Sequence, residues 1–145
     1  MSRTRAMGDD MSYQADSTVG FDSEGYCLTP GDDNGDTVKK ATLEDNFVAV
    51  NKASTYNADD TQVRTGEPVD VHMDGEVNVL CKEGVDYTFG TKLYLSDVPG
   101  VADSNVDTDG GGTDDSFVGK VAEGVDLTGA SGPGLVPVQI SGVHQ

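Results

Sequence analysis

The stretch Pro68-Val69-Asp70-Val71-His72-Met73-Asp74-Gly75-Glu76-Val77-Asn78-Val79-Leu80-Cys81 decides the fold class. Val69 and Val71 alternate with Asp70 and His72, and Val77 and Val79 flank Asn78, so every second side chain is apolar. A period of two is the mark of a strand with one buried face, because successive side chains point to opposite sides of a sheet. Between the two runs, Asp74-Gly75 readily supplies the positive φ of a tight primed turn, so a hairpin centred there is expected. Working outward, similar short runs occupy 37–43, 47–52, 92–95, 117–122 and 135–140, each bounded by turn residues. Leu93 and Leu95 flank Tyr94 in the same alternation. Pro137 lies inside the last run and lacks an amide hydrogen, which predicts an edge strand or a bulge there.

No window of comparable length reads as an amphipathic helix; the best candidate is a turn or so within residues 53–60. The expectation is an all-β protein, a small β-barrel or β-sandwich with a flexible N-terminal arm. At 145 residues the chain has room for one ordinary core and not comfortably for two. Residues 1–20 are polar and read as the extended arm, and residues 21–145 as the barrel-like domain. There is also an internal echo. Val77, Cys81, Glu83, Gly84, Val85, Asp86 and Thr88 align, forty positions on, with Phe117, Val121, Glu123, Gly124, Val125, Asp126 and Thr128. Two copies suit a small barrel or sandwich built from similar strand and turn units, although a vocabulary so rich in Gly, Asp and Val also repeats by chance.

The chain carries 26 acidic residues against 9 basic ones, a net charge of −17, and 20 of the acids are Asp. Such a surface repels nucleic acid phosphates and anionic membranes, so neither is expected as a partner. It also repels itself in dilute buffer, whereas molar salt screens charge over about 3 Å. Asp-weighted acidity with six Lys therefore fits adaptation to concentrated salt, against the plainer reading of an acidic protein from an ordinary habitat. Arg3 and Arg5 are followed by no apolar run, so neither a signal peptide nor a membrane span is expected, and synthesis and assembly in the cytoplasm follow. Cys27 and Cys81 stand without CxxC spacing or a nearby His; they could pair, and packed idle thiols are the plainer account.

Catalytic constellations are missing: the sequence has no GxSxG, HExxH or GxxxxGK[ST] motif, and no GxGxxG that opens a helix. The two histidines, His72 in an alternating run and His144 near the C-terminus, give no acid–base set. No enzyme and no cofactor are expected. One loop invites a metal reading. Asp103, Asn105, Asp107 and Asp109, before Gly110 and with Asp114 and Asp115 beyond, present alternate oxygen ligands of the kind that wrap calcium. The register is incomplete, since Ser116 stands where a bidentate Glu would close the loop and Thr108 where the sharp-turn Gly belongs. An Asp- and Gly-rich surface loop without an ion is the simpler account.

The order of segments carries a resemblance. Gly35-Asp36-Thr37-Val38-Lys39-Lys40-Ala41 is followed by Phe47-Val48-Ala49-Val50, Gly66-Glu67-Pro68-Val69-Asp70-Val71 and Gly75-Glu76-Val77-Asn78-Val79. Then come Phe89-Gly90-Thr91-Lys92-Leu93-Tyr94-Leu95-Ser96, Phe117-Val118-Gly119-Lys120-Val121-Ala122 and Leu135-Val136-Pro137-Val138-Gln139-Ile140. This succession resembles the small head-decoration, or cement, proteins of tailed viruses, over roughly residues 35 to 141. The resemblance implies a compact β-barrel-like domain that forms a homotrimer on the outer capsid surface of the virion and bridges subunits of the major capsid protein. The acidic composition would make it the version from a virus of halophilic archaea. The arm, with Arg3, Arg5 and Tyr13 as its candidate partner-binding residues, would supply extra contacts by adding a strand to a capsid subunit's edge. Two other readings stand beside it: another virion component such as a tail-tube protein, and a small β-sandwich binding module of a halophile that uses calcium through the 103–115 loop.

Overall fold

A computed structural model describes residues 10–15, 19–20, 23–31, 37–52, 62–63 and 68–141. The helical candidate at 53–60, together with Arg3, Arg5 and His144, lies outside them. The described residues are all-β, with no helix. Strands β1 (Asp10–Ala15), β3 (Cys27–Pro30), β4 (Thr37–Lys40), β5 (Ala49–Asn51) and β7 (Pro68–His72) close into one five-stranded barrel in the order β1-β4-β3-β5-β7. A second barrel is formed by β8 (Asp74–Cys81), β10 (Lys92–Leu95), β11 (Ala102–Asp103), β12 (Phe117–Val121) and β14 (Gly134–Ser141), in the order β10-β11-β8-β14-β12. Two short ribbons complete the set: β2 (Val19–Gly20) with β6 (Gln62–Val63), and β9 (Asp86–Tyr87) with β13 (Val125–Asp126).

The alternating runs behave as their spacing demands. Val69, Val71, Val77, Val79, Leu93 and Leu95 are all buried, while Asn78 is exposed and Asp70, His72 and Tyr94 are partly so. Two barrels fit where one was expected because their interiors interlock. Leu28 and Ala49 face the first barrel's core, with Val38, Val69 and Val71; their neighbours Cys27 and Val50 join the second core, with Val79, Leu93, Leu95, Val138 and Ile140. Strands β3 and β5 thus serve as a wall with an apolar core on either side. Leu80 reciprocates, packing with the first core while Val79 and Cys81 pack with the second. A shared wall lets each small barrel bury more apolar surface than it could alone.

Two expectations change. The Asp74-Gly75 hairpin is not formed: β7 lies between β1 and β5, and β8 between β11 and β14, so the chain passes from one barrel to the other. Gly75 does take φ +96°, but within β8, opposite Ile140, so its freedom serves a strand and not a reversal. Strand β14 is not an edge, having β8 and β12 on its two sides. Pro137 is accommodated because pairing with β12 starts at Val138, and beyond its end the Pro137 carbonyl accepts the Ala122 amide at 2.8 Å. Within the first twenty residues, Asp10–Ala15 is extended, and its backbone is paired inside this chain, antiparallel to β7 and parallel to β4.

The internal echo has a structural counterpart. Val125 pairs with Tyr87 and Asp126 with Asp86, so the two Glu-Gly-Val-Asp segments form one antiparallel ribbon. Gly84 donates to Leu127 O at 2.8 Å and Leu127 donates to Val85 O at 2.9 Å, which completes the ribbon on one side.

Candidate functional site

The long excursion between β10 and β12 is the most elaborated loop among the described residues. It starts with Ser96, fully buried, whose hydroxyl donates to the Val101 carbonyl at 2.6 Å and accepts the Val98 amide at 3.2 Å. Gly100, at φ +81°, lets the chain fold back under Tyr26, where a Cβ would stand 2.6 Å from the Tyr26 ring. After β11 the loop is held by its own carboxylates. Asn105 Oδ1 accepts the Asp107 amide at 3.0 Å, and the Asp107 carboxylate accepts the amides of Gly111 and Gly112 at 3.1 and 2.9 Å. Asp109 accepts from Gly111 at 3.1 Å, and Asp115 Oδ2 accepts from the Thr108 amide and hydroxyl at 3.0 and 3.1 Å. Such Asx-type bonds explain why an Asp-, Asn- and Gly-rich sequence adopts a defined shape here.

The predicted ligand set is divided by this geometry. Asp107 and Asp109 come together, each offering a carboxylate oxygen within 4.8 Å of one from Asp115. Asp103 turns into the second barrel instead, where Oδ1 accepts the Ser104 amide at 2.7 Å and the Tyr87 hydroxyl at 3.4 Å. Asn105 is engaged by its own turn. Glu44, sixty residues upstream in the turn between β4 and β5, completes the acidic group. Its carboxyl is held above the ordinary range, first by desolvation and then by the neighbouring carboxylates of Asp115, Asp109 and Asp107. Asp107 goes the other way, held low chiefly by the Gly112 amide. No sequence pattern signals Glu44, because only the packing of one barrel on the other brings it here: Ser116 donates to Leu43 O at 2.9 Å and Leu43 to Ser96 O at 3.0 Å.

The other notable surface is apolar. Phe89 is 81% exposed at the tip of the turn before β10, and Val98 is exposed at the rim of a groove of about 550 Å³. Tyr26, Lys40, Leu80, Pro99 and Pro133 line that groove, with the Lys40 ammonium 3.9 Å above the Tyr26 ring centre. Of the partner residues expected from the sequence, Tyr13 is placed in β1 opposite Val69. Cys27 and Cys81 are buried free thiols, so the pairing that the sequence left open is not made. No helix among the described residues is long and apolar enough to cross a membrane.

Comparison with known proteins adds one finding. The family described as XM1 gp53 minor capsid protein matches residues 9–140, from just before β1 to the penultimate residue of β14. No curated protein and no solved structure matches the chain.

Proposed function

The chain belongs to the XM1 gp53 minor capsid protein family, and from that premise, which makes it a structural part of a virion, we propose that it decorates the outer capsid surface as a homotrimer and bridges neighbouring capsid subunits. The observation that carries the reading is the extent of the family match, which takes in both barrels. Proteins of such a family are generally structural and not enzymatic, in keeping with a sequence in which no acid–base or nucleophile set is found. The net charge of −17 supports use in concentrated salt, by a virus of salt-loving archaea. There, screening removes long-range attraction, and adhesion rests on apolar contact, hydrogen bonds and shape. Phe89 and the Tyr26–Val98–Pro133 groove are the apolar surfaces suited to that contact. Arg3 and Arg5 would meet acidic neighbours, whereas the backbone of Asp10–Ala15 is already paired and leaves strand addition to residues outside it.

Copy number and position test the proposal. Purified particles should carry the chain in threes at sites shared by capsid subunits, and intact particles should expose it to added protease or antibody. Recovery only with detached tails, or protection from both probes until particles are opened, would refute it.

A further inference from the structure

Three carboxylates, those of Asp107, Asp109 and Asp115, meet in the 97–116 loop, where Ser116 donates to Leu43 O and so brings the turn that carries Glu44 alongside. One of the three is incompletely satisfied. Asp115 is 4% exposed; Thr108 occupies its Oδ2, while its buried Oδ1 has no hydrogen-bond partner. A buried carboxylate oxygen without a donor carries the full desolvation penalty of an unpaired charge. Its neighbours make this worse, since Glu44, Asp107 and Asp109 are also acids and Lys82, which pairs with Asp97 at 2.7 Å, is committed elsewhere. A positive charge among these oxygens reverses the balance.

We propose that Glu44, Asp107, Asp109 and Asp115 form a binding site for a divalent cation of calcium's size, which ties the 97–116 loop of the second barrel to the Leu43–Glu44 turn of the first. The chemistry of the donors fits a hard ion: all four are carboxylates. The span fits as well. Oxygens of Asp107, Asp109 and Asp115 lie within 4.8 Å of one another, close enough to share one ion, since ligands on opposite sides of calcium stand about 4.6–5.2 Å apart. The Gly111 and Gly112 amides already fix the Asp107 carboxylate, and the Thr108 amide and hydroxyl fix Asp115, so two of the ligands are positioned in advance. Because Glu44 comes from the first barrel and the other three from the second, an ion held here acts as a clamp across the barrel junction. The site stands independently of the capsid reading.

The test is calorimetric titration of the full chain with CaCl2, and separately MgCl2, in molar KCl so that diffuse attraction to the acidic surface is screened. One saturable calcium site per chain is expected, with weaker magnesium binding and a melting temperature that rises with calcium concentration. Glu44→Gln and Asp109→Asn, both at exposed positions that folding tolerates, should each weaken calcium binding by about tenfold or more. Glu76→Gln, which removes one exposed charge from β8, should bind like the parent. Absence of heat and of a melting shift with calcium would overturn the proposal. So would equal binding by the parent and both site variants, or magnesium binding as tight as calcium.

Discussion

The Leu80 amide donates to the Gly25 carbonyl oxygen over 2.9 Å, a backbone hydrogen bond from a strand of the second barrel to the entrance of the first. Gly25 can make it because φ is +93° and nothing projects from its Cα; a Cβ would meet Leu135 Cδ2 at 2.7 Å and Leu80 N at 3.0 Å. Gly25→Ala should therefore cost about 2 kcal/mol or more, combining the left-handed penalty with the contact. Urea unfolding checks it, and a loss within about 0.5 kcal/mol, as at an indifferent surface position, would show that the junction yields freely.

Phe47 follows β4 and precedes β5 in the first barrel, yet packs in the second core and is 2% exposed. Phe47→Ala should cost about 3–5 kcal/mol. Because the wall between the cores is shared, parent and variant should each unfold in one transition. Agreement of calorimetric and van't Hoff enthalpies tests this, and two resolved transitions would mean that the barrels are energetically separate.

Burial pushes the Cys27 and Cys81 thiols well above their ordinary range, so neither supplies thiolate at neutral pH. Iodoacetamide should leave both unmodified in the folded protein and alkylate both in denaturant. Mass spectrometry reads the outcome, and rapid native labelling of either cysteine would contradict the packing.

Two exposed carboxylates outside the acidic cluster set an acid dependence. Asp126 is held low by the Thr128 hydroxyl at 2.7 Å and amide at 3.0 Å, and Asp97 by Lys82. A depressed folded pKa contributes stability that is present above the ordinary carboxylate value of 3.8 and is lost as pH falls through the lower folded one. The melting temperature should therefore fall in acid. Asp126→Asn, which keeps an acceptor for Thr128 but does not titrate, should fall less steeply, and identical acid slopes would discount the contribution.

Strand positions were legible wherever alternation was strong: 68–72 and 92–95 agree to the residue, and 117–122 to within one. Strand β1 had the same signal, with Met11, Tyr13 and Ala15 alternating with Asp10, Ser12 and Gln14, but the surrounding polar residues masked it. Pairing was less legible, because a period of two says which face is buried and nothing about which strand lies alongside. That is why Asp74-Gly75 suggested a hairpin while β7 and β8 belong to different barrels. Two-residue strands such as β9 and β13 are too short to show a period, although the repeated Glu-Gly-Val-Asp marked their place. Half of the acidic site could be read from the spacing of Asp107 and Asp109. Asp103 and Asn105 were drawn away by local bonds, and Glu44 arrives only through tertiary packing.

The eight residues of β8 are paired one for one with β14, from Asp74 opposite Ser141 to Cys81 opposite Gly134. On a ribosome, β8 therefore emerges some fifty residues ahead of its partner, and the second barrel has no closed form until synthesis has passed Ser141. Closure of this kind waits on distant segments and is intrinsically slow, with an apolar edge open to neighbouring nascent chains in the interval. In dilute buffer like-charged chains keep apart at that stage, whereas molar salt screens that repulsion and leaves the open edge dependent on the arrival of its own partner strand.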